Sequence, residues 1–182
     1  MIYIIKRLLK RSLNRFGFDI VRSSKSPQYS LLGLRELPIR TVIDVGANKG
    51  QFARTIRNIF PQAHIHCFEP LPEAFSRLKE WAEKRENVTV HNIALGETIG
   101  EIRMLRHINH SPSSSILRTT ETCEKLYPFV KTQETVNVKM MTLDSWFDSR
   151  NDLLRDVLVK IDVQGYENRV IVGGTRMLKI SK

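Results

Sequence analysis

Apolar positions recur along this chain at two spacings, and the switches between them mark its elements. Ile2, Ile5, Leu9, Leu13 and Phe16 stand three or four residues apart, which predicts an amphipathic helix. Lys6, Lys10, Arg11 and Arg15 fall mostly off that stripe, and Gly17 provides a stop, since glycine accepts the left-handed conformation after a last turn. Residues 26–37 read as a linker with a short helical piece. From Thr41 to Val45 a β-branched apolar run predicts a buried strand ending in glycines. Phe52, Ile56, Ile59 and Phe60 predict a helix over 51–60, which Pro61 stops. Residues 63–68 read as a second strand. Pro72 suits the first turn of a helix over 72–84, with Phe75, Leu78 and Ala82 on one face. Residues 88–94 read as a third strand. This β-α-β-α-β rhythm implies an α/β protein with a parallel sheet, helices on its faces and right-handed crossovers.

The next stretch, 95–156, is less regular. Residues 101–105 and 136–140 have strand character, 107–115 (HINHSPSSS) is a polar loop, and 143–147 opens a short helix. The run VLVKI at 157–161 is the next core strand. Asp162 ends it, and a helix is expected from Gly165 or Tyr166 toward Leu178.

Charge changes this picture at one end only. The chain carries a formal net charge of +10, and residues 1–25 hold seven lysines and arginines against Asp19 alone, or +6 of the total. The basicity belongs to an arm rather than to a nucleic-acid-binding face, so no nucleic-acid partner is expected. Two readings of the arm stay open: its apolar stripe docks on the domain or on a second copy in a homo-oligomer, or residues 1–16 lie on an anionic membrane surface. No apolar run approaches the roughly 18 residues a membrane span needs, and the charged start lacks the h-region of a signal peptide. Cys67 and Cys123 form no CxxC pair, so a reducing cytoplasm is the default location.

The most informative chemistry lies in V42-I43-D44-V45-G46-A47-N48-K49-G50, a strand running through a glycine-rich turn into a helix. Backbone passing close to a ligand has no room for a Cβ, and the helix start offers unpaired N–H groups. A pyrophosphate cradle has the pattern GxGxxG. Here Gly46 and Gly50 flank Ala47 and Asn48, and Asn48 fills the slot of the middle glycine. That suits a smaller zwitterionic group, with Asp44 near enough to meet an ammonium. Glu69 follows the second strand, 19 residues beyond Gly50, at the separation of a carboxylate that grips a ribose diol, and Pro70 turns the chain away. Both features fit an adenosyl cofactor without choosing its chemistry.

Together with N92-I93-A94-L95-G96, S113-S114-S115, T142-L143-D144 and K160-I161-D162-V163-Q164-G165-Y166-E167, these motifs resemble the FkbM family of methyltransferases over roughly residues 38–180. The resemblance implies a Rossmann-like class I methyltransferase fold with strand order 3-2-1-4, S-adenosylmethionine as methyl donor, and O-methylation of a sugar or small-molecule hydroxyl. It implies that Asp44, Gly46, Ala47, Asn48 and Gly50 line the methionine part, that Glu69 and Pro70 meet the ribose, and that Asn92 to Ala94 pass under the adenine. Asp162 becomes the candidate catalytic group, positioning or deprotonating the acceptor hydroxyl. Ser114 and Glu167 are candidate substrate contacts, although Glu167 equally suits the first turn of a helix as a charge favourable to its dipole. Lys160 reads either as the partner of a carboxylate or as an edge residue.

Asp-Val-Gln-Gly at 162–165 differs from the Asn/Asp-Pro-Pro-aromatic run of enzymes that methylate base amines, which again argues against nucleic acid. His64 and His66 alternate on one strand face with no third ligand evident, so no metal is expected. The fifth strand and final hairpin of such a fold have no residues in this sequence, so weak or no catalysis by this polypeptide alone is expected. Two alternative functions follow: a non-catalytic remnant that binds cofactor or a partner, and an NAD-dependent oxidoreductase, which the missing middle glycine disfavours.

Overall fold

The computed structural model describes residues 31–107, 115–116, 133–150, 153 and 155–181. The basic helical arm of the sequence reading lies outside them, as does Ser114. The chain divides into two units, 1–37 and 38–182. The described part of the first is a 3₁₀ turn, Leu32–Glu36.

In the second unit four strands form a parallel sheet: β1 (Thr41–Val45), β2 (His64–Phe68), β3 (Val88–His91) and β7 (Val157–Ile161). Their order is β3-β2-β1-β7, the 3-2-1-4 order expected of the core strands. Every residue of β1 is buried, because a central parallel strand is covered on both faces. Its alternation sends Ile43 and Val45 to one face and Val42 and Asp44 to the other. Helix α1 (Gln51–Ile59) buries Ala53 and Ile56, and α2 (Pro72–Ala82), with its proline in the first turn, buries Ala74, Leu78, Trp81 and Ala82. On the Ile43 face the core continues through Phe68, Leu143, Trp146, Val170 and Met177.

Three short strands make a second sheet: β4 (Ala94–Leu95), β5 (Gly100–His107) and β6 (Gln133–Met141), in the order β4-β6-β5. The third core strand therefore stops at His91, three residues before its expected end. Asn92 explains the break: its amide donates to the carbonyls of Glu69 (2.9 Å) and Pro70 (3.0 Å), pulling the chain out of the sheet before Ala94 pairs with Met140.

Helix α3 (Leu143–Asp148) is capped by Thr142, whose hydroxyl accepts from the Ser145 amide at 3.0 Å. The single helix expected up to Leu178 is two, α4 (Glu167–Val172) and α5 (Thr175–Lys179). Gly173 and Gly174 stand at the break, and a Cβ on Gly173 would run into the Gly96 carbonyl. Asp144 then caps the second piece, accepting from the amides of Arg176 (3.1 Å) and Met177 (2.9 Å). Among the described residues no helix is long and apolar enough to cross a membrane.

Candidate active site

The turn after β1 is wound by three left-handed residues, Gly46 (φ 78°), Asn48 (φ 49°) and Gly50 (φ 84°). The amides of Gly46 and Ala47 both donate to the Phe68 carbonyl at 3.0 Å, which fastens the turn to the end of β2. Asn48 is the one non-glycine of the three, and asparagine tolerates this region better than most side chains. Its side-chain oxygen accepts from the Lys49 amide at 2.9 Å. The requirement for glycine at 46 comes from the protein itself: a Cβ there would collide with the backbone carbonyl of Asp162.

Glu69 joins this turn to the next. One carboxylate oxygen accepts from the Asn48 amide (2.8 Å) and the other from the Leu71 amide (2.9 Å). The group is 4% exposed. Burial, opposed by those two hydrogen bonds, raises its pKa to about 7.

A cavity of about 400 Å³ opens above the C-terminal ends of the strands, where ligands sit in open α/β sheets. Its walls come from the β1 turn and α1 (Gly46, Ala47, Asn48, Phe52), the β2 end (Phe68 to Leu71), the segment Ile93 to Leu95, and the β7 end (Lys160, Asp162, Val163, Gln164). Met104 of β5 and Ile116 complete the apolar side.

The structure thus brings Gly46, Ala47, Asn48, Glu69, Pro70, Ala94 and Asp162 to one cavity. The other expected contacts stand apart from its lining. Asp44 is fully buried beneath the turn and does not line the cavity. Gly50 is the N-cap of α1 and packs toward Leu78. Asn92 is spent on the backbone of residues 69 and 70. Of the two readings of Glu167 the geometry favours the structural one, since its carboxylate accepts from the amides of Val163 (3.0 Å) and Gly165 (2.9 Å) and closes the turn after β7.

Lys160 takes the carboxylate-partner role. Strand register sets it beside Asp44, and its Nζ lies 3.0 Å from an Asp44 oxygen, 3.1 Å from the Gly46 carbonyl and 3.6 Å from Asp162. Burial pushes the Asp44 carboxyl upward while the ammonium pulls against it. Asp162 is half-exposed at the cavity edge, and its second oxygen accepts from the Gln164 amide at 2.7 Å. Gln164, Met104 and Ile116 escaped the sequence reading. Gln164 gave a signal only as part of the K160–E167 motif, and the two apolar residues gave none, because their role comes from chain crossings that local periodicity does not encode.

His64, His66 and His91 form a packed stack on the Ile43 face, with ring centroids 4.5 Å apart for the first pair and 5.7 Å for the second. Trp146 meets His66 edge-on at 5.0 Å. Among the described residues no group of three His, Cys, Asp or Glu side chains is arranged to hold a metal ion.

A parallel 3-2-1-4 sheet carries a glycine turn, a buried carboxylate and an exposed aspartate around one cavity, the arrangement of a Rossmann-like nucleotide-binding fold. The chain belongs to the methyltransferase FkbM domain family, which matches residues 44–182. It is 28% identical over 179 residues to the 2-O-methyltransferase NoeI of Sinorhizobium fredii, spanning 93% of this chain and 72% of that protein. It is also 28% identical over 142 residues to Methyltransferase 1 of Beauveria bassiana, spanning 72% of this chain and 57% of that protein. A solved structure, the methyltransferase FkbM from Methylobacillus flagellatus, superposes with a TM-score of 0.49 at 16% identity, covering 77% of this chain and 30% of the other.

Proposed function

We propose that this cavity binds S-adenosylmethionine and that the enzyme methylates a hydroxyl oxygen of a sugar or a similarly hydroxylated small molecule. The observation that carries the reading is the buried Glu69 carboxylate, held by two amides on the wall of a largely apolar cavity beside the glycine turn. A carboxylate in that setting accepts from a ribose cis-diol, and Phe68, Ile93, Leu95 and Met104 offer an apolar surface for a purine. The residues present therefore fit an adenosyl group. The relative named a 2-O-methyltransferase supports a hydroxyl acceptor.

When bound, the cofactor supplies an already activated methyl group. Asp162, exposed at the cavity edge with its two oxygens beside Lys160 and Gln164, would accept the proton of an acceptor hydroxyl held there. Asp44, Lys160 and the turn hold the floor rigid, so the rest of the rate comes from alignment.

Calorimetry with S-adenosylhomocysteine tests the binding half: micromolar binding that Glu69→Ala abolishes supports it, whereas NADH binding in its place would overturn it. Labelled S-adenosylmethionine offered with a panel of glycosides tests the acceptor half. Slow transfer to hydroxyl oxygen, in keeping with the weak catalysis expected of this chain, and its loss in Asp162→Asn are expected; transfer only to amines would refute the acceptor class.

A further inference from the structure

The turn after β7 carries two consecutive left-handed residues, Gln164 (φ 56°) and Gly165 (φ 96°). For glutamine that conformation is strained, and it persists only where the surroundings over-determine it. Two clamps do so here. From below, the Glu167 carboxylate accepts from the amides of Val163 and Gly165. From above, the Ser115 hydroxyl donates to the Gln164 carbonyl at 2.8 Å. Ser115 is itself fixed by two backbone bonds to Leu105 of β5, at 2.8 and 3.1 Å, and is 6% exposed. Its neighbour Ile116 lies on the cavity wall. The chain of contacts continues, because the Gln164 side-chain amide donates to Asp162 at 2.7 Å.

We propose that Ser115 is a positioning residue: acting through Gln164, it fixes the Asp162 carboxylate at the cavity edge, so that a residue bridged to β5 and 49 positions away in sequence from Gln164 sets the charge geometry of the methyl-transfer site. This rests on the reading of the cavity as an S-adenosylmethionine site. A fixed carboxylate attracts the positively charged sulfonium of S-adenosylmethionine and has little to gain from the neutral thioether of S-adenosylhomocysteine. Loss of the clamp therefore weakens binding of the charged cofactor selectively. A general loosening of the fold would weaken both equally.

The test is calorimetry of the whole chain with both compounds. Ser115→Ala is expected to raise Kd for S-adenosylmethionine about fivefold and to leave S-adenosylhomocysteine within about twofold, the size of one lost hydrogen bond to a charge-bearing network. Ser115→Thr, which keeps the hydroxyl, restores the ratio. Gln164→Ala, at an exposed position, gives the same selective loss, and adding Ser115→Ala to it causes no further change, as expected of two links in one chain. Equal weakening of both compounds in Ser115→Ala and Gln164→Ala, or an unchanged ratio, overturns the proposal and leaves the cofactor site standing. Failure of the wild-type chain to bind either compound overturns the cofactor reading and this proposal with it.

Discussion

At the scale of single residues, Glu69 makes the sharpest statement. Two amide donors favour its ionised form, yet burial wins and leaves the pKa near 7. Only the ionised carboxylate accepts from both hydroxyls of a diol, so nucleoside binding should tighten as pH rises through that value. From a pKa of about 7 the ionised fraction grows about tenfold between pH 6 and pH 8, and affinity for S-adenosylhomocysteine should follow it. Calorimetry at the two pH values checks this, and Glu69→Gln should bind weakly with no slope between them. Asp44 makes the opposite point. Its sequence position suggested a ligand contact, and its register opposite Lys160 turns it into the buried half of an ion pair under the turn. Which of the two carboxylates lines the cavity is decided by strand register and burial, and neither can be read from spacing alone.

At the scale of elements, the parallel strands were legible because buried strands read as short, largely apolar runs and the helices between them carry proline signals, Pro61 after the first and Pro72 opening the second, while the strand order came from the family resemblance. Less legible were the places where one element abuts another. The glycine at 46 was read as making room for a ligand, and the structure supplies a nearer cause in the Asp162 carbonyl at the end of β7. The two explanations separate experimentally. Gly46→Ala should destabilise the ligand-free protein by about 2–4 kcal/mol, since it combines overpacking against backbone with an unfavourable φ. Thermal unfolding without ligand measures it; a normal Tm combined with lost cofactor binding would return the glycine to its ligand role. Gly173 follows the same logic, because its contact with Gly96 lies between segments far apart in sequence. Met104 and Ile116 were invisible for that reason too. The polar stretch around 107–115 gives no periodic pattern, so nothing local says that Ile116 faces a cavity.

At the scale of the whole molecule, the parallel sheet is sensitive to acid through one face. His66 sits fully inside the stack with His64, His91 and Trp146, and burial, aided by the neighbouring histidines and Arg150, depresses its pKa from 6.5 to about 3. In the unfolded chain the imidazole protonates near pH 6.5, while in the folded protein it stays neutral until about pH 3. The unfolded state therefore binds the extra proton throughout that window, and stability falls as pH falls, with His66 alone contributing about 1.4 kcal/mol per pH unit. Glu69 works the other way between 4.5 and 7, because its raised pKa lets the folded state hold a proton that the unfolded chain has released. The wild-type slope in that range is the difference of such terms, so a comparison isolates the histidine better than a single profile does. Phenylalanine fills the same stacked position without a titrating nitrogen. His66→Phe should reduce the slope of unfolding free energy between pH 4.5 and 6.5 by about 1.4 kcal/mol per pH unit relative to wild type. Urea unfolding at several pH values across the window measures both slopes. Parallel profiles would mean that His66 gains a proton in the folded state over the same pH range as in the unfolded chain.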